Sequence, residues 1–96
     1  MEHKSIIATI YIRNGRAVRS KDDNAESQDL VGLAKSYNDS GVDKIFLVDL
    51  SNDESEHMTN LVAIRNVNRN IDIKTVGAGN IKREDDIKLF FFAGCT

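Results

Sequence analysis

The stretch TVGAGN, Thr75 to Asn80, follows an apolar run and precedes a charged segment with helical spacing. In an α/β protein that is a common place for a phosphate: glycines let the ligand approach the backbone, and the following helix start favours an anion. Gly77, Ala78, Gly79 and Asn80 are therefore candidate phosphate-binding residues. A plain tight turn would use the same residues. His3 and His57 lie near the terminus and in a polar stretch without paired ligands at metal spacing, so both are expected at the surface, and no metal or cofactor is expected. The lone Cys95 offers neither an internal disulfide nor a two-cysteine metal knuckle.

The 96 residues can form a single domain, expected to span 1–96. A domain of this size buries only about 60–65% of its unfolded surface, so its stability margin is thin and further interfaces would help it. The composition, 41% apolar with neither proline nor tryptophan, suits a folded globular chain. Thirteen basic and fifteen acidic residues give a formal net charge of -2 with no cationic block, which speaks against nucleic acid as a partner. The apolar runs are far shorter than the roughly 20 residues of a membrane span, and the first residues do not open a signal peptide, so a cytoplasmic protein is expected.

The elements that would position these residues follow from periodicity. Ser5 to Ile12 reads as a strand, Asn14-Gly15 as a tight type I′ turn, and the chain then returns as a short strand to Arg19. Ser20 to Ser27 reads as an exposed loop. Leu30, Val31, Leu33, Ala34 and Tyr37 recur at helical spacing, with Ser27 as the cap and Gly41 as the stop. "DKIFLVDL" is a nearly continuous apolar run, as in a buried parallel strand. A second helix is expected from Met58 to about Arg69, after the loop "SNDESEH". "IDIKTV" is a third strand, "GAGN" a turn, and "REDDIKLFFFA" a third helix stopped by Gly94.

Strand and helix thus alternate three times, which implies parallel strands joined by right-handed crossovers. The candidates are a doubly wound sheet or part of a (βα)₈ barrel, and three units cannot close a barrel of about 250 residues. Leu89 to Phe92 wrap most of a helix circumference, so a second packing surface is expected. Lys74 is either a charge that discourages pairing at an open edge or a lysine at a barrel rim.

The segments "IIATIYIRNGRAV", "LAKSYNDSGVDKIFLVDL", "NLVAIRNV", "IDIKTVGAGNIK" and "EDDIKLFFFAGCT", in this order, resemble the N-terminal half of the histidine-biosynthesis (βα)₈ barrels. That family comprises the cyclase subunit of imidazole glycerol phosphate synthase and the phosphoribosylformimino-aminoimidazole carboxamide ribotide isomerase. The resemblance implies a partial TIM barrel of about three βα units, with a hairpin extension after strand one. It implies a phosphate site at Gly77 to Asn80, where Asn80 is one residue more than the family turn. Asp49 matches the acidic residue at the end of the family's second strand and is the candidate catalytic carboxylate; its alternative role is capping backbone amides of the next loop. Arg19 matches a basic residue of the family's mobile first loop, with a ligand contact or a solvated arginine as its two readings. Tyr11 stands at the barrel mouth, where the family carries a catalytic aspartate. A phenol with an ordinary pKa of about 10 is a poor general base near neutrality.

Three readings of function follow. The chain is half of a ribotide isomerase or cyclase, unable to catalyse alone and completed by a complementary half or a second copy. Alternatively, it is a catalytically silent protein that self-assembles or binds a phosphoribosyl ligand. In the third reading it is a fragment of a longer active enzyme.

Overall fold

The computed structural model describes residues 5–19, 27–79 and 84–96, with side chains of the last helix from Lys88 onward. Of the loop expected from Ser20 to Ser27, residues 20–26 lie outside the described residues, as do Asn80 and His3, while Ser27 belongs to a strand. The elements run β1 Ile7–Arg13, β2 Arg16–Val18, β3 Ser27–Gln28, α1 Leu30–Asp39, β4 Lys44–Asp49, α2 Glu54–Asn70, β5 Lys74–Ala78 and α3 Glu84–Phe92. Asn14 (φ 52°) and Gly15 (φ 74°) turn β1 into β2 with the positive φ values that a tight hairpin needs.

The sheet order is β3-β2-β1-β4-β5. β1, β4 and β5 are mutually parallel, whereas the β2–β3 extension runs antiparallel beside β1. Alternation along each strand separates two unlike faces. Ile10 and Ile12 of β1, Ala17 of β2, Ile45, Leu47 and Asp49 of β4, and Thr75 of β5 are all buried. They share the core with Leu30 and Ala34 of α1, Leu61, Ile64 and Val67 of α2, and Phe90 of α3. The opposite parity places Ile7, Thr9 and Tyr11 beside Lys44, Phe46 and Val48, and these beside Lys74, Val76 and Ala78, in three cross-strand rows. None of these nine residues is buried, and Ile7 is 53% exposed.

One face covered and one left open is the arrangement of a barrel segment. A doubly wound sheet would bury both. The architecture is therefore that of a partial (βα)₈ barrel, with helices outside and the would-be barrel interior open.

Several local expectations change. α1 is capped by Asp29, whose carboxylate accepts the Gly32 amide at 2.9 Å, and not by Ser27, which pairs with Val18 as part of β3. α2 begins a full turn before Met58, because Asp53 accepts the Glu56 amide at 2.7 Å and Glu56 in return accepts the Asn52 amide at 3.0 Å. The Asp53 bond satisfies one of the amides a helix start leaves unpaired, and the return bond from Asn52 ties the residue before the cap to the first turn. Gly77 and Ala78 belong to β5 and not to a turn. Of Leu89 to Phe92, Phe90 is buried while Phe91 and Phe92 are 60% and 80% exposed. Together with Met58 and Val62 they leave apolar surface along α2 and α3.

Candidate functional site at the strand C-termini

The C-terminal ends of β1, β4 and β5 gather Tyr11, Val48 and Ala78 in one row on the open face, with Val18 of β2 paired to Tyr11. Tyr11 is half-buried and shares its face with Ile7 and Thr9, as its parity requires. Asp49 ends β4 only one residue after Val48, and that single step turns it to the other face of the sheet. There it is 2% exposed, among the helix-facing residues.

The Asp49 carboxylate is fully engaged in that position. Oδ1 accepts the Ser51 amide at 2.9 Å and the Asn60 side-chain amide at 2.6 Å, while Oδ2 pairs with Nδ1 of His57. His57 is not at the surface as its polar sequence context suggests. It is 5% exposed, one turn into α2, with its ring edge-on to Phe90 at a centroid distance of 6.3 Å. Asn60, completely buried, carries the network to the hairpin: its Oδ1 accepts the Gly15 amide at 2.7 Å and its Nδ2 reaches the Ile12 carbonyl at 3.3 Å. Glu56 does the same one turn earlier, accepting the Asn14 amide at 3.0 Å and Nε of Arg13 at 3.1 Å.

Glu56, His57 and Asn60 thus tie the hairpin turn, the end of β4 and the start of α2 into one polar unit. Buried polar groups are tolerated when they find such partners, and bonds of this kind fix geometry more strictly than apolar packing does. The sequence reading missed all three α2 residues. The signal that could have found them is Asp53-x-x-Glu56, a capping pattern that moves the helix start forward and puts residues 56, 57 and 60 on one face.

The two candidate glycines have packing reasons of their own. A Cβ on Gly77 would collide with the Phe90 ring, and one on Gly79 (φ 83°) would collide with the Asp49 carbonyl oxygen. The backbone after β5 therefore passes directly over the end of β4. Arg19 is exposed just past β2, and no described contact joins it to Gly77 or Gly79. Among the described residues no group of three or more His, Cys, Asp or Glu is placed to hold a metal ion, and no helix is long and apolar enough to cross a membrane.

Comparison with known proteins agrees with this geometry. A family profile described as "Histidine biosynthesis protein" matches residues 5–96. The imidazole glycerol phosphate synthase subunit HisF of Campylobacter lari is 32% identical over 87 residues, which cover 88% of this chain and 34% of that protein. The same subunit from Flavobacterium psychrophilum is 30% identical over 93 residues, covering 95% of this chain and 37% of the relative. The chain thus spans about a third of the length of these curated relatives. With a profile match over nearly its whole length and the one-sided sheet of a barrel segment, the chain belongs to the histidine-biosynthesis protein family.

Proposed function

We propose that this chain is a half-barrel of the ribotide cyclase and isomerase type, that it does not catalyse by itself, and that a complementary half-barrel completes it. One observation carries the reading. Asp49, the only carboxylate on the described strands, faces α2 and has both oxygens occupied, while the open-face row at the strand ends holds Tyr11, Val48 and Ala78. Proton transfer near neutrality needs a group of suitable pKa within hydrogen-bond reach of substrate, and that row offers only a phenol. Asp49, the catalytic candidate in the sequence, is on this reading the organiser of the rim: it holds the loop after β4 and the start of α2 where a ligand would meet them.

Turnover measurements test this directly. The purified chain alone should convert neither the cyclase nor the isomerase substrate, and measurable turnover by the chain alone would overturn the reading. Adding the portion of the Campylobacter lari subunit that this chain does not match should restore most activity with Tyr11→Asp.

A second reading keeps a phosphoribosyl ligand without chemistry. Its support is the backbone at Gly79, with a positive φ immediately after β5. Ribose 5-phosphate should then shift the Gly79 amide resonance while leaving amides at the strand starts in place. A spectrum unchanged at millimolar ligand would remove this reading.

A further inference from the structure

We infer that the open face of the sheet docks a complementary half-barrel whose strand starts carry carboxylates, and that two lysines select it against a second copy of this chain. The inference rests on the half-barrel reading above and adds the chemistry of the partner. Of the three open-face rows, two are mainly apolar: Thr9, Phe46 and Val76 in one, Tyr11, Val48 and Ala78 in the other. The third, at the strand starts, is Ile7, Lys44 and Lys74, so two ammonium side chains stand in direct register on neighbouring parallel strands. Like charges so placed repel. Among the described residues neither lysine has a carboxylate in ion-pair contact: Asp43, beside Lys44, accepts the Ile6 amide at 2.8 Å, and Asp49 lies on the other face at the far end of β4.

This repulsion is weak while the lysines are solvated and grows when the face is covered, because screening falls as water leaves. Parallel strands in a closed barrel all start at one end. Two copies of this chain closing on each other would therefore bring four ammonium groups together, Lys44 and Lys74 from each. A half-barrel with carboxylates at its strand starts would meet the same lysines with opposite charge, while its interior apolar residues cover Phe46, Val48 and Val76. Complementary charge of this kind sets partner choice even where it adds little affinity.

A charge-reversed copy of the chain serves as the acidic probe. Wild type and the double variant Lys44→Glu, Lys74→Glu are each measured by sedimentation equilibrium and then mixed. The mixture should form a 1:1 complex at least about tenfold tighter than either protein forms with itself, as a small number of matched charge pairs can provide. That advantage should shrink as salt rises, and β5 amides should exchange more slowly in the complex. Wild type self-associating as tightly as the mixture would overturn the inference, as would a mixture that forms no complex. It also fails if Lys44→Met, Lys74→Met pairs with itself as tightly as the mixture, since apolar burial would then suffice. Should circular dichroism show the double variant unfolded, Lys74→Glu alone, at an exposed position, repeats the mixing. All of these readouts are masses and exchange rates, so the half-barrel reading stands or falls separately on turnover.

Discussion

The two faces of the sheet are made by the same strands with opposite rules. On the helix side the residues of the three parallel strands are apolar, small or hydrogen-bonded, and the buried Asp49 is answered by His57, Asn60 and the Ser51 amide. On the open side no residue of the three parallel strands is buried, and two lysines adjoin without a carboxylate between them among the described residues. Since side chains alternate at every residue, one step along β4, from Val48 to Asp49, passes from one regime to the other. The first face holds the chain together, and on the proposed reading the second is where a partner docks. Substitutions on the two faces should therefore separate stability from association.

The largest effect is expected where the covered face is polar. Asp49→Ala removes the acceptor of the Ser51 amide, the Asn60 amide group and His57 together, and should destabilise the chain by about 3–5 kcal/mol in urea unfolding. For a domain with so thin a margin that is close to global unfolding. A loss below about 1 kcal/mol would mean the network is incidental to the fold. Asn60→Ala should cost less, about 2–3 kcal/mol, because it leaves the Gly15 amide and Asp49 each short of one partner. It carries a local signature as well: amide exchange at Gly15 should accelerate more than exchange in β4. Gly77→Ala comes next at about 1–3 kcal/mol, the cost of displacing Phe90 from a packed site, and near-UV circular dichroism of the aromatic residues should change with it.

Much of the covered face was legible in the sequence. The Asn14-Gly15 turn gives β1 and the hairpin, the nearly continuous apolar run gives β4, and helical spacing gives α1 and most of α2. The polar unit was not, because each member looks ordinary alone. Asp49 reads as a strand-end carboxylate, His57 and Glu56 as loop residues, and Asn60 as one polar position in a helix. Their meaning depends on α2 starting at Glu54, and therefore on reading Asp53 as a cap rather than as part of a charged loop. The Gly77 case is similar: glycine before glycine suggests a ligand turn, and only the tertiary position of Phe90 shows that the absent side chain leaves room for a ring. The open face was half legible. Strand parity placed Tyr11 and the absence of closure was evident from length, but the register of Lys44 against Lys74 requires the pairing of two strands thirty residues apart.

The smallest effect sharpens the contrast most. Phe46→Thr lies on β4 between Ile45 and Leu47, both fully buried, yet its own side chain faces the open side and is only half-buried. In the isolated chain it should change stability by roughly 1 kcal/mol or less, since little apolar surface returns to water and threonine suits a strand. In the mixture of wild type with the charge-reversed copy, the same substitution on both partners should weaken the complex by about tenfold, because the middle row loses its largest apolar group where the two faces meet. If Phe46→Thr instead unfolds the chain as Asp49→Ala is expected to, the open face is part of the folding core and the division of labour between the faces is wrong. If it leaves both stability and association unchanged, the partner does not touch the middle row, and the lysines would be selecting a contact confined to the strand starts.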